Sequence, residues 1–356
     1  FGSSFNLKPA VLGSSCGTEH LMAGPYIDAT LNFADPRYRG FRQPNPLYSK
    51  YKAPPQKPGE EKGGAHQVRI FNARLLDPPA TLDTCGFQLV HAPVPSELDL
   101  RDPDVGRQGY YQYVAEVLKA ATGQQVHGPG GHEYRNGYAH LKPGDPRAIK
   151  PTPNGSSGTY GLGIHSDISN TLEMQWKPKD GREERHFRIV KMWRSIDMVN
   201  NVETTPLACC DMRTVHPEDI IYNDGQNTSD IKMYMKTVAM SVVHNPQQRW
   251  YYFPHMTPNE ALLFVQYDTR REEANLRTVF HSAVVDPTTR HDAPPRYTIE
   301  AAARVMYEIE DQAHKVARVA RFVAQIKSTY PDGSKSDWFS GPIEGYKPPP
   351  AAVSKL

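Results

Sequence analysis

Two histidines and one carboxylate are the residues in this chain best spaced for chemistry. His165 and Asp167 lie two positions apart in GTYGLGIHSDISN (158–170). On an extended segment alternate side chains share a face, so this imidazole and carboxylate point the same way. Gly161 and Gly163 leave room for something to approach the backbone. His281 lies in TVFHSAVVD (278–286), just after the apolar run ALLFVQYD (261–268). An imidazole embedded in such a strand needs a partner for its nitrogens. Each half also has an ordinary reading: His-x-Asp is common by chance, and a core histidine can bond a carbonyl. Together they make a 2-His-1-carboxylate set, which suits Fe(II) and leaves coordination positions open.

An anion site is expected beside it. Arg296 and Thr298, in PPRYTIE, share a strand face, so a guanidinium and a hydroxyl converge where a carboxylate could be held bidentately. Arg290 falls in the turn-like PTTRHDAPP, and Arg304, eight strand residues on, is about 26 Å away. His127, His132, His216, His244, His255 and His291 read as solvated loop or strand-end histidines. No HExxH, CxxC, P-loop or GxSxG pattern occurs, and Gly161–Gly163 lacks the third glycine of a dinucleotide fingerprint. Trp193, Arg194, Tyr251 and Tyr252 lie on core strands, where core packing is the ordinary reading and a substrate contact the functional one. Ile343, in a tail that could act as a lid, is a further candidate.

The elements that must position these residues are mostly strands. Residues 1–65 are rich in Pro, Gly, Tyr and Lys and read as an irregular N-terminal arm. Residues 66–310 carry the core, with strands expected near 67–72, 86–91, 158–167, 171–176, 186–194, 206–211, 237–244, 249–253, 260–267, 278–285 and 296–307. Helical spacing of Tyr113, Val114, Val117, Leu118 and Ala121 predicts one helix over 110–122, ending at Gly123. Residues 311–356 read as a C-terminal helix and tail packing on the core. Many short strands separated by Gly, Pro, Asn and Asp point to a mainly β jelly roll or barrel with flanking helices.

Composition narrows the function class. With 41 basic against 39 acidic residues the net charge is +2, so no strong field recruits nucleic acid or anionic membrane. No apolar run approaches the roughly 20 residues that span a bilayer. The N-terminal residues lack a secretory layout. The four cysteines are scattered without zinc or disulfide-framework spacing, which fits a reducing cytoplasm.

Longer strings narrow the reading further. TLDTCGFQLV (81–90), MWRSI (192–196), PLACCDMRTVHPEDI (206–220), HNPQQRWYYFPHMTPNEALLFVQYD (244–268) and FHSAVVDPTTRHDAPPRYTIE (280–300) resemble the asaB-type hydroxylase/desaturase family. That family, mostly fungal and similar to a component of the cephamycin methoxylase, belongs to the Fe(II)/2-oxoglutarate-dependent oxygenases. The resemblance implies a distorted double-stranded β-helix with His165, Asp167 and His281 on the metal at one open end. It implies 2-oxoglutarate on Arg296 and Thr298, O₂ as co-substrate, and a small secondary-metabolite precursor as substrate. The expected reaction is oxidation of an unactivated C–H: hydroxylation, desaturation or ring closure, such as aziridine formation on a valine-like amino acid. Ser195 replaces the usual proline after Trp-Arg, and Ala302 replaces a frequent arginine; both bear on substrate identity. A non-oxidative metal-dependent isomerase or binding protein on the same fold stays open as the alternative, with no need for Arg296.

Overall fold

A computed structural model describes residues 23–43, 63–102, 104–137, 155–158, 160–168, 184–223, 239–325 and 333–334. Among them the strands are β1 (Tyr26–Phe33), β2 (Arg42–Gln43), β3 (Gly64–Asn72), β4 (Phe87–His91), β5 (Gln125–His127), β6 (His132–Asn136), β7 (Gly155–Gly158), β8 (Arg185–Ser195), β9 (Leu207–Cys210), β10 (Ile220–Asn223), β11 (Ala239–Val242), β12 (Trp250–Tyr252), β13 (Glu260–Asp268), β14 (His281–Ala283) and β15 (Tyr297–Ile309). The helices are α1 (Tyr111–Thr122) and α2 (Gln312–Gln325). The strand expected at 171–176 and the tail with Ile343 lie outside the described residues.

The strands form a mainly β architecture of three sheets. The largest runs β4-β13-β8-β15-β6-β7, with β5 also on β15. A second runs β1-β3-β12-β9-β14, and a third runs β11-β10-β2. Alternation along β9 and β12 explains the layering. Ala208, Cys210, Trp250 and Tyr252 enter a core shared with Ile220, Tyr222, Met240 and Val242 of the third sheet. Cys209 and Tyr251 face the other way, into the core that includes Val190, Met192, Phe264 and the α1 face Tyr113, Val114, Val117 and Leu118. This is the layering of a distorted double-stranded β-helix.

Helix α1 ends as its sequence signals. Gly123 takes φ 71°, a left-handed cap that glycine adopts without steric cost, and its N–H returns to the Lys119 carbonyl. The N-terminal arm is less irregular than its composition suggests. YIDATLNF alternates exposed and buried positions and forms β1, paired antiparallel with β3. Ile27, Ala29, Leu31 and Phe33 supply the buried face. The Pro/Gly content around this octet hid a period-two pattern that burial of one face rewards. No helix among the described residues is long and apolar enough to cross a membrane.

Candidate active site

His165 and His281 are brought together by backbone pairing between distant segments. They face each other across an antiparallel bridge, each N–H donating to the other's carbonyl at 3.1 and 3.0 Å. The segment carrying His165 is extended and irregular rather than the continuous strand expected over 158–167. Single bridges tie Gly163 to Asn32, His165 to His281 and Ser166 to Met240. Alternation still holds: Ser166 turns into the core, its hydroxyl 2.5 Å from that of Thr278. His165 and Asp167 therefore emerge on the opposite side, together with His281.

The three side chains form a compact set. Asp167 Oδ1 lies 3.4 Å from His165 Nε2, and Oδ2 lies 3.5 Å from His281 Nε2. One ligand atom from each residue falls within 4.8 Å of the others. Both Nδ1 atoms sit by carbonyls, His165 by Gly163 at 2.7 Å and His281 by Val279 at 3.2 Å. Donation from Nδ1 leaves Nε2 as the lone-pair nitrogen and fixes each ring, as outer contacts do for metal-binding histidines. Gly161 makes room: a Cβ there would stand 3.2 Å from His165 Cε1. Gly163 has open space instead and contributes its carbonyl. Asp167 Oδ2 is buried without an aligned donor, although the Lys191 ammonium pairs with it at 3.0 Å. Paired, fixed Nε2 atoms and an under-satisfied carboxylate oxygen between them fit a divalent transition metal.

Electrostatics favour the ligating forms of His281 and Asp167, and hold a proton on His165 until a cation displaces it. Burial, with the His165 ring 4.5 Å away, pushes the His281 imidazole down to about 4, so it is neutral near pH 7. Burial opposes charge on His165 too, but the Asp167 carboxylate outweighs it and raises that imidazole. For Asp167 the burial penalty is overcome by Lys191 and the histidines, and its carboxyl is held well below the usual range.

Arg296 is buried at 5 % exposure, immediately before β15. Its guanidinium lies 4.4 Å from the Tyr160 ring and 5.1 Å from the Trp193 ring, and Nη1 donates to Thr298 Oγ1 at 3.3 Å. Nε has no partner, and burial lowers this guanidinium to about 10. The backbone is pinned on both sides: Thr204 Oγ1 accepts from Arg296 N–H at 2.9 Å, and Tyr160 O–H donates to the Arg296 carbonyl at 2.9 Å.

Trp193 thus reaches the site, flanking Arg296. Arg194 does not. It is fully buried on the opposite face of β8, where Nη1 donates to the Ala92 carbonyl at 2.8 Å and to the Tyr113 hydroxyl, and Nη2 to the Pro258 carbonyl. Adjacent strand residues cannot share a face, so Trp193 inside places Arg194 outside. Tyr252 is likewise turned away. Tyr251 is in register with Cys209, which pairs with His281, whereas Tyr252 enters the second core.

Residues not singled out from sequence complete the site. Lys191 Nζ lies 3.1 Å from Glu300 Oε1 as well as beside Asp167. Gln266 Oε1 accepts from the Asp167 N–H at 3.0 Å, from a position where the β13 register slips between Val265 and Tyr267. Such a bulge re-aims a side chain that regular alternation would send elsewhere. A lysine within the apolar string RIVKMWRSI was the available signal for Lys191; nothing local marked the bulge.

Comparison with known proteins agrees with the geometry. Residues 31–306 match the family described as "Oxidoreductase/YMDC permease-like domain". "Hydroxylase/desaturase CTB9" of Cercospora beticola is 30% identical over 260 residues, spanning 68% of this chain and 77% of that protein. "Hydroxylase/desaturase asaB" of Aspergillus flavus is 27% identical over 195 residues, covering 48% of this chain and 85% of that one. "Alpha-ketoglutarate-dependent dioxygenase tstK" of Talaromyces stipitatus is 25% identical over 243 residues, 64% of this chain and 80% of its own. For the fold, a solved structure titled "iron and alpha-ketoglutarate-dependent endoperoxidase NvfI" aligns at TM-score 0.57 and 21% identity, covering 79% of this chain and 98% of that one. The chain belongs to the hydroxylase/desaturase family of Fe(II)/2-oxoglutarate-dependent oxygenases.

Proposed function

We propose that this protein oxidises an unactivated C–H of a small secondary-metabolite precursor, with His165, Asp167 and His281 as the metal ligands and Arg296 and Thr298 as the 2-oxoglutarate anchor. The observation that carries the reading is Arg296. A buried guanidinium with an unpartnered Nε, backed by Tyr160 and Trp193, is costly unless an anion arrives. A dicarboxylate supplies that anion at one end and a metal-chelating keto acid at the other. Thr298 Oγ1 orients Nη1 and adds a hydroxyl toward the same carboxylate. Trp193 and Tyr160 exclude water from the guanidinium, which strengthens the ion pair it forms.

His165, Asp167 and His281 would hold a ferrous ion, which with 2-oxoglutarate and O₂ would supply the oxidising power to remove hydrogen, with succinate and CO₂ as co-products. The protein's part is to choose which C–H is presented. Hydroxylation, desaturation and ring closure share that hydrogen removal, and relatives are named for the first two. The buried free thiols Cys85, Cys209 and Cys210 are in keeping with a reducing cytoplasm.

The test is anaerobic addition of Fe(II) and 2-oxoglutarate. A visible charge-transfer band is expected with wild type, and its half-saturation should move to much higher keto-acid concentration in Arg296→Leu. A colourless wild-type complex with tightly bound metal would favour the non-oxidative reading. Succinate release should then be screened against amino acids, peptides and terpenoid acids.

A further inference from the structure

The inner face of the largest sheet holds more charge than metal ligation needs. Lys191 Nζ lies 3.0 Å from Asp167 Oδ2 and 3.1 Å from Glu300 Oε1. Glu300 also faces Arg135 Nη2 at 3.6 Å, and Arg135 pairs with Glu133 at 2.7 Å. Strand register puts these groups on one face in adjacent rows: Trp193 and Glu133 both pair with Glu300, Arg135 pairs with Thr298 and Lys191 with Ala302. Glu300 lies between the two ends of the site: Lys191 joins it to Asp167 on one side, and on the other its register partner Trp193 and its same-face neighbour Thr298 both touch Arg296.

A carboxylate in that position is a problem for a dianionic co-substrate. A dianion spanning from Asp167 to Arg296 would lie near Glu300, and in a buried setting a like charge is strongly repulsive. The described side chains are balanced: Asp167, Glu300 and Glu133 against Lys191, Arg135 and Arg296. With a divalent cation added the site stands at +2, the complement of a dicarboxylate. Lys191 is costly in one respect, since an ammonium beside Asp167 opposes the cation that Asp167 must hold.

We propose that Lys191 is a positioning counter-charge, which screens Glu300 and Asp167 so that a dianionic keto acid can enter, at the expense of metal affinity. This rests on the ligand assignment above and adds a prediction that a packing role does not make: metal and keto-acid affinities move in opposite directions. Binding of Mn(II), and of 2-oxoglutarate to the Mn(II)-loaded full-length protein, would be measured by calorimetry without turnover. Lys191→Met should weaken 2-oxoglutarate binding about tenfold or more while Mn(II) binds as tightly or tighter. Glu300→Gln should do the reverse, leaving 2-oxoglutarate binding equal or tighter and weakening Mn(II) several-fold. The double variant should return 2-oxoglutarate affinity to within about threefold of wild type, the coupling expected of two charges in contact. Lys191→Arg should behave like wild type.

Unchanged 2-oxoglutarate affinity in Lys191→Met, or loss of it in both single variants, would overturn the assignment. If Lys191→Met does not fold, the direction of the Glu300→Gln shift decides alone. The two readings also fail separately. Wild-type protein that binds no Mn(II), or binds it equally well as His281→Ala, defeats the ligand assignment. Normal wild-type binding with flat variant responses defeats only the counter-charge.

Discussion

β8 carries a charged cluster on each face, and the two are satisfied to different degrees. On the α1 side, Arg188 is 1 % exposed and bonds Asp268 at 2.8 Å and Asp83 at 2.5 Å. Arg270 joins at 3.1 Å from Asp268, over the Tyr307 ring at 3.6 Å. No buried polar atom of Arg188, Asp268 or Arg270 lacks a partner. On the inner side, Asp167 Oδ2 has no aligned donor and Arg296 Nε–H has no acceptor. Folding closes the first cluster on itself and leaves the second open. Buried polar groups carry a penalty unless paired, so an open cluster next to a histidine pair marks where ligands complete the structure.

Substitutions can break this contrast in order of size. Replacing Asp167 or His281 by Ala should reduce substrate-triggered succinate formation to roughly a thousandth or less, because a two-ligand site loses its metal. Full turnover in either variant would remove that residue from the site. Arg188→Met should destabilise by about 3 kcal/mol, since it breaks a fully buried ion pair and leaves Asp268 to Arg270 alone. Denaturant unfolding would read the loss, and 2-oxoglutarate affinity of the folded fraction should not change.

Arg296→Leu sharpens the comparison by inverting it. Loss of a charge-assisted contact should cost about 2–3 kcal/mol of 2-oxoglutarate binding. The thermal midpoint of the ligand-free protein should stay level or rise, because a buried cation with no carboxylate partner has gone. A midpoint drop like that of Arg188→Met would show that Arg296 has a structural partner after all.

The smallest effect is acid sensitivity. Burial raises the Asp268 carboxyl, but Arg188 and Arg270 outweigh it and hold it below its ordinary value. A carboxyl depressed in the folded state stabilises above its unfolded pKa and loses that contribution as pH falls through the folded one. Wild-type stability should therefore drop below about pH 4 more steeply than that of Asp268→Asn. The Asn variant should be the less stable of the two at pH 7. Parallel melting curves from pH 7 to 3 would check both statements.

Much of the site was legible because its signals are local. His-x-Asp on an extended segment and Arg-x-Thr at the entry to β15 need only period-two alternation to bring their side chains together, and the helix ending at Gly123 needs only apolar spacing and a cap. The misreadings share a different cause. Trp193 and Arg194 are neighbours on one strand, and sequence does not say which face of β8 looks inward; Tyr251 and Tyr252 pose the same question on β12. Glycine and proline around Tyr26–Phe33 obscured a strand that exists because β3 is there to pair with it.

Sequence by itself determined the candidate ligand types, their spacing along each segment and the alternating pattern that makes this a β protein. Tertiary structure alone decided that His165 would lie opposite His281, which neighbour on each strand would face that histidine pair, and that Lys191 and Glu300 would stand beside it. The physical reason is that alternation is written into the backbone of each strand, whereas facing and register depend on which distant strand is hydrogen-bonded alongside. The bulge that aims Gln266 at Asp167 is the plainest case, since it exists only where two strands pair out of step.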